Sequence, residues 1–264
     1  MKKIIYNVWS DLKVPHTSVP EFKRDSFAKF KNKLIDIQKQ YAYSCGADYE
    51  IFNPPVYDYV NVQFHKLFKF EELTKHYDKV VYLDVDIIPI TKKNIFEEFN
   101  FNNICVYDYH IDINDASYRR NLIYRLKNKK PISPMNRHSK VCAKRAMLLL
   151  HDINGNDNIC NTGVFGGNKQ AAEKLAFSDN IKLLDKTLEE AKTDTVYPEE
   201  YSKQWIRNNE VYVSFLLEKF DIKFNNIGIQ WNYILDDKHK DFSAGAHLIH
   251  QVNKDFNETL KHIQ

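Results

Sequence analysis

Glycine is scarce in this chain, with seven in 264 residues, and the first is Gly46. The first predicted strand, Ile4–Trp9, is therefore not followed by a G-x-G-x-x-G turn, and no G-x-x-x-x-G-K-[ST] occurs anywhere. Dinucleotide-binding dehydrogenases and P-loop NTPases both lose their support. Cysteine is thin as well. Cys45, Cys105, Cys142 and Cys160 lie far apart and form no C-x-x-C pair, which argues against a zinc site or a disulfide framework and fits reduced thiols. No apolar run approaches the ~20 residues that a membrane span needs. The opening "MKKIIYNVWSD" loses its apolar stretch at Asn7, Ser10 and Asp11, too soon for a signal peptide. The expectation is a soluble cytoplasmic protein with no transmembrane segment. A net charge of +3, with Lys and Arg spread along the chain, gives no nucleic-acid footprint. The one dense basic stretch, Arg119–Lys130, reads as a solvated helix face or a patch for an anionic partner.

What is there is an alternation of strands and helices. Ile4–Trp9 reads as a strand. Phe27, Phe30, Leu34, Ile37 and Tyr41 recur at helical spacing, so Glu21–Ser44 is expected to be an amphipathic helix. Asp48–Phe52 is a second strand, stopped by Asn53-Pro54-Pro55. Asn61–His76 is a second helix and Val80–Leu83 a third strand. This order predicts parallel strands joined by helical crossovers. Further on, the pattern gives a helix at Lys92–Phe99, a strand at Ile104–Tyr107 and helix or strand at Ser139–Asp152. A strand at Ile159–Phe165 ends in a glycine cluster, and helices follow at Lys169–Ala176 and Ile181–Ala191. A helix at Asn208–Phe220, strands at Ile222–Phe224 and Ala246–His250, and a helix at Asp255–Ile263 complete the chain. The expected class is α/β: one domain over 1–264, with a mixed, mostly parallel, Rossmann-like sheet flanked by helices. A nucleotide-binding half would take about 1–107, an irregular basic insertion about 108–139 and the remainder 140–264. The insertion is read as a loop that orders over a bound ligand.

The third strand carries the chemistry. "VVYLDVD" runs from a β-branched and aromatic stretch directly into Asp84 and Asp86. Read as a continuing strand, both carboxylates face one side, roughly 6–7 Å apart. Like charges at a low-dielectric wall raise each other's cost of ionisation, so a metal, a basic side chain or a helix N-terminus is called for. In open α/β sheets ligands collect at the carboxyl ends of the strands, where this pair sits. The plain alternative is a helix cap plus a solvated carboxylate.

Lys66–Phe99, "KLFKFEELTKHYDKVVYLDVDIIPITKKNIFEEF", resembles the glycogenin and galactinol synthase family of retaining glycosyltransferases. There a Lys-Leu helix, a Tyr-Asp-Lys turn and an apolar strand lead to D-x-D. "CNTGVFGGN" at Cys160–Asn168 is similar to the family's Asn-Ser/Ala-Gly-Val-Phe strand. "NNEVYVSFLL" at Asn208–Leu217 stands where an Asp-Gln pair opens a helix. "HLIHQVNKDF" at His247–Phe256 resembles the closing metal-binding His and diphosphate-binding Lys. The motifs occur in the family's order across roughly residues 4–256.

The resemblance implies a GT-A fold and transfer of a hexosyl group from a UDP-sugar to an acceptor hydroxyl, with retention. The acceptor would be a glycan, protein or small molecule. It implies Asp84, Asp86 and His250 as metal ligands, with His247 as the alternative histidine. A histidine beside carboxylates suits manganese, with magnesium second. Tyr6, Val8 and Trp9 would hold uracil and ribose, with Asp84 reaching the ribose and Lys66 the nucleotide or sugar. Lys254 would contact the diphosphate, although the family's Lys-Pro-Trp is Lys-Asp-Phe here. Asn161 and Gly163 would lie beneath the donor sugar. Core packing is the competing reading for Tyr6 and Val8, and a helix-surface lysine for Lys66. A turn needing positive φ is the competing reading for Gly166 and Gly167. Glu210 departs from the family's glutamine: it would stabilise an oxocarbenium-like transition state or orient the acceptor, unless it only favours a helix N-terminus. Two other functions share part of the pattern. Haloacid-dehalogenase-like phosphatases use a strand-end D-x-D with the first Asp as nucleophile, and Asp236–Asp241 is similar to their acidic metal motif. A carbohydrate- or nucleotide-sugar-binding protein without turnover would keep the same motifs.

Overall fold

A computed structural model describes residues 1–9, 21–53, 59–110, 137–183, 208–235 and 245–261. Residues 111–136 of the basic insertion, the C-terminal part of the helix expected at Ile181–Ala191, and Asp236–Asp241 lie outside them. None of the described helices is long and apolar enough to cross a membrane. The chain divides into two compact units, one of 1–107, 162–178 and 223–264, the other of 108–161 and 179–222.

The first unit starts with β1 (Lys3–Val8), α1 (Glu21–Ser44), β2 (Asp48–Phe52), α2 (Tyr59–Leu73) and β3 (Lys79–Leu83). β1 pairs in parallel with both β2 and β3, as the helical crossovers predict. The six-stranded sheet runs β2-β1-β3-β6-β5-β7, with β5 at Ile104–His110, β6 at Asn158–Gly167 and β7 at Phe224–Asn226. β6 is antiparallel to β3 and β7 parallel to β5, so the sheet is mixed. The continuous apolar run of β3 follows from burial on both faces. Ile5, Val81 and Leu83 share one core with Tyr41 and Ala42 of α1 and with Cys45 just beyond its end. On the other face Tyr6 donates its hydroxyl to the Lys66 carbonyl of α2, and Phe70 of α2 meets Phe165 of β6 edge-on at 5.0 Å. Cys45, Cys105 and Cys160 are buried free thiols.

The glycine cluster is not a turn. Gly166 and Gly167 continue β6 and pair with Val81 and Val80, and neither has positive φ. They are glycine because neighbours approach closely. A Cβ at Gly167 would lie 2.8 Å from the Ala171 Cβ and 3.0 Å from Phe70, and one at Gly166 would lie 3.0 Å from the Val80 carbonyl.

A second, three-stranded sheet in this unit was not anticipated. Its order is β4-β9-β8, from Ile87–Pro89, Leu248–Gln251 and Tyr233–Leu235. β4 is only three residues long and carries Pro89, which an edge strand accommodates. Beneath it Leu34, Val85, Ile88, Ile249, Phe256 and Leu260 form a separate core, with Trp9, Phe27 and Phe30 packed against it.

In the second unit α4 (Arg137–Leu149) packs on α6 (Asn209–Lys219); α3 (Ile95–Glu98) and α5 (Lys169–Leu175) belong to the first unit, which α7 (Phe256–Lys261) closes. Ser139–Asp152, open between helix and strand by sequence, is thus a helix through Leu149. Lys144, 1% exposed, is satisfied by Asn156 Oδ1, the Asn158 carbonyl and Glu218 Oε2 at 2.7–2.8 Å.

Candidate metal centre

The D-x-D is a turn rather than the continuation of a strand. The Ile87 amide donates to the Asp84 carbonyl at 2.9 Å, closing a four-residue turn between β3 and β4. This corrects the picture of two carboxylates spaced along an extended chain. Val85 points into the small core, 8% exposed. From the middle of α1, Gln38 Nε2 donates to the carbonyls of Asp84 and Ile87, both at 2.8 Å, which fixes the two ends of the turn. Gln38 is itself held, since Asn7 Nδ2 donates to its Oε1 at 2.7 Å.

Strand pairing supplies the histidine. β4 runs antiparallel to β9 with Ile87 opposite His250, and the Gln251 amide donates to the Asp86 carbonyl at 3.0 Å. His250 therefore arrives beside the turn. Its Nε2 lies 3.4 Å from Asp86 Oδ2 and 3.8 Å from Asp84 Oδ2. One donor atom from each of Asp84, Asp86 and His250 lies within 4.8 Å of the others. The other ring nitrogen, Nδ1, is 3.0 Å from Asn232 Oδ1, and Asn232 is fully buried. An amide oxygen only accepts, so Nδ1 donates to it, and Nε2 is the ring nitrogen turned toward the carboxylates. Two carboxylates this close call for positive charge among them. His247, the alternative, instead packs on Trp231 at 4.7 Å and takes no part in this cluster.

Each aspartate has further partners. Asp84 Oδ1 accepts from the Tyr82 hydroxyl at 2.5 Å and lies 3.5 Å from Lys66 Nζ. Burial, then the Asp84 charge, push the Tyr82 hydroxyl well above the usual tyrosine range, so it stays a donor. Lys66 is 6% exposed, donates to the Thr162 carbonyl at 2.9 Å and sits 4.7 Å from the Tyr82 ring centre. Asp86 is 4% exposed and Lys254 Nζ donates to its Oδ2. Burial opposes ionisation of Asp86, but Lys254 and His250 outweigh it and hold the carboxyl far below the usual carboxylate range.

These residues fit a divalent ion. Hard carboxylate oxygens with one imidazole form a donor set for manganese or zinc, and magnesium accepts the carboxylates. A cation with ~2.1 Å bonds and right-angled ligands sets neighbouring donors ~3 Å apart, so small side-chain shifts bring this triad onto one ion. Tyr82 and Asn232 orient the ligands from behind, the support that tunes a metal site.

The remaining expected residues are dispersed. Tyr6 is fully buried and Val8 8% exposed, both packed at the end of β1. Trp9 is half-buried against Phe27, with Lys31 Nζ 4.1 Å from its ring. The Gly163 carbonyl accepts from the Asp84 amide at 2.7 Å, so Gly163 borders the turn. Asn161 and Glu210 belong to the second unit. Glu210 stands in the first turn of α6, capped by Asn208, and is ion-paired with Lys140. Gln38, Tyr82 and Asn232 were not singled out from sequence. Only Tyr82 carried a signal, as a hydroxyl-bearing residue two positions before Asp84.

No family model matches the chain, and no curated protein does. Among solved structures it is similar to a glycosyltransferase involved in the glycosylation of the major capsid of PBCV-1, at 13% identity and a TM-score of 0.48, covering 100% of this chain and 98% of that one. It is also similar to the galactosyltransferase LgtC in complex with donor and acceptor sugar analogs (11%, TM-score 0.43, 94% and 87% covered). Mouse xyloside xylosyltransferase 1 is a third (11%, TM-score 0.44, 96% and 98%). At these scores the likeness carries no weight for the chemistry of this chain, which rests on the residues above.

Proposed function

We propose that this chain is a metal-dependent glycosyltransferase of the GT-A type, moving a hexosyl group from a UDP-sugar to an acceptor hydroxyl with retention. One observation carries the reading. Asp84, Asp86 and His250 converge at the carboxyl end of β3, with two lysines beside them. A divalent ion held there, manganese by preference, supplies Lewis-acid neutralisation of a diphosphate leaving group.

The protein's own residues divide the remaining work. Asp84, Asp86 and His250 hold the cation; Tyr82 and Asn232 keep their donor atoms aimed at it. Lys66 and Lys254 put positive charge where phosphate oxygens arrive. Val8 and Trp9 hold the base at the end of β1, while Tyr6 acts from below by carrying the Lys66 backbone. Gly163 lets the donor sugar approach the chain closely. The sequence motifs assign Asn161 a place beneath the same sugar. The sequence motifs give Glu210 the orienting of the acceptor or the stabilisation of positive charge at the anomeric carbon. Retention and the glycogenin-like assignment rest on the sequence motifs.

The test is a thermal-shift screen of UDP-, GDP- and CDP-sugars with and without manganese, followed by product analysis. A ligand at a hundred times its dissociation constant raises stability by ~2.7 kcal/mol. The reading expects a manganese-dependent shift with a UDP-sugar and release of UDP. Equal shifts without metal, or tighter GDP binding, contradict it.

A further inference from the structure

We propose that Lys254 is a built-in counter-ion of the metal centre, standing in for the cation when the site is empty and making cation binding conditional on an anionic partner. The proposal rests on the metal-site reading above and adds a regulation of that site.

The ammonium of Lys254 is bonded to Asp86 Oδ2, the same oxygen that faces His250 Nε2 at 3.4 Å. This is the oxygen that a shared cation has to take. Lys66 stands 3.5 Å from Asp84 Oδ1 on the other side. Two carboxylates thus face two ammonium groups, and these four charges balance without any metal. A divalent cation entering this balanced cluster adds two positive charges, and the Lys254 ammonium repels it directly. The repulsion ends when Lys254 leaves Asp86 for an anion bearing at least two negative charges, such as a diphosphate lying across the cation. Each of cation and anion then strengthens the binding of the other.

The backbone at Lys254 suits such an exchange. Its φ is +65°, a left-handed conformation rare for a side chain of this size. The conformation is pinned on both sides: the Lys254 amide donates to the Gln251 carbonyl at 3.1 Å, and Ser26 Oγ donates to the Lys254 carbonyl at 2.8 Å. The stem passes Phe27, whose ring centre is 5.0 Å from Nζ, and the side chain is 13% exposed against 6% for Asp86. A fixed root and a four-carbon stem allow the charge to move without the fold moving.

Manganese binding, followed by electron paramagnetic resonance against protein-free blanks, tests this in wild type, Lys254→Met and Lys254→Arg, with and without pyrophosphate. In wild type, pyrophosphate is expected to tighten manganese binding by at least ~10-fold, the size expected for close charge pairs. Lys254→Met is expected to bind manganese alone at least ~10-fold more tightly than wild type and to lose most of the pyrophosphate effect. Lys254→Arg keeps the wild-type pattern. If Lys254→Met does not fold, Lys254→Gln takes its place. Manganese binding that is no tighter in the neutral variant, yet abolished by Asp86→Asn, overturns the counter-ion role and leaves the metal site standing. No manganese binding in any variant, with or without pyrophosphate, overturns both.

Discussion

Replacing Gln38 by methionine probes how the D-x-D turn is held. The side chain keeps its length and most of its volume, but it can no longer donate. Gln38 is fully buried in the middle of α1, and its amide donates to the carbonyls of Asp84 and Ile87. In Gln38→Met the Asp84 carbonyl retains the Ile87 amide, and Asn7 Nδ2 retains the Tyr49 hydroxyl at 2.6 Å. The Ile87 carbonyl loses its side-chain donor, and Asn7 loses one of two acceptors. At ~1–3 kcal/mol for each of the two deprived buried groups, the loss is ~2–6 kcal/mol. Urea unfolding should show it as a lower midpoint with an unchanged slope. The turn also sets the spacing of Asp84 and Asp86, so manganese affinity should fall ~10–100-fold, the usual effect of removing a support behind metal ligands. A loss below ~1 kcal/mol contradicts the hydrogen-bond accounting. A full stability loss with unaltered manganese affinity makes Gln38 a core residue with no bearing on the site.

Three further outcomes follow from the same geometry. Asn232→Leu removes the acceptor that keeps the proton on His250 Nδ1; calorimetric titration should show manganese affinity reduced ~10–100-fold, and an unchanged value refutes the orienting role. Gly167→Ala places a Cβ 2.8 Å from the Ala171 Cβ and 3.0 Å from Phe70, an overpacking cost of ~1–3 kcal/mol readable as a lower Tm; a neutral or stabilising effect shows that the β6–α2 contact can yield. Asp86 has its folded pKa depressed, so its contribution to stability is complete above the unfolded value of ~3.9 and is lost as pH falls below that toward the folded value. Metal-free wild type should therefore lose stability faster than Asp86→Asn below about pH 4, and parallel acid-denaturation profiles contradict the ion pair with Lys254.

The sequence displayed some of this plainly and hid the rest for physical reasons. Helical spacing from Phe27 to Tyr41 marked α1, and the break at Asn53-Pro54-Pro55 marked the end of β2, because both signals are local. Val80–Leu83 followed by two aspartates marked a strand end with unresolved charge. β4 was not legible: three residues, one of them a proline, form a strand only because β9 lies alongside. That same pairing turns the extended D-x-D into a turn and brings His250 across more than 160 positions. Gln38 and Asn232 were silent for a related reason, since a buried amide looks like a surface amide until its partners are known. The glycine cluster misled in the opposite direction. A positive-φ turn stood open as one reading of Gly166 and Gly167, yet they serve close packing inside a strand. Lys254 was singled out for a phosphate, and its contact with Asp86 depends on a left-handed residue that no local pattern announces.

The central claim is that Asp84, Asp86 and His250 form a divalent-cation site serving a nucleotide diphosphate. The most direct measurement is a titration of manganese in the presence of UDP, comparing wild type with Asp86→Asn under conditions where both are folded. Wild type should bind the cation and show a manganese-dependent rise in Tm, while Asp86→Asn should show neither. Retention of the full manganese-plus-UDP response in Asp86→Asn would contradict the account.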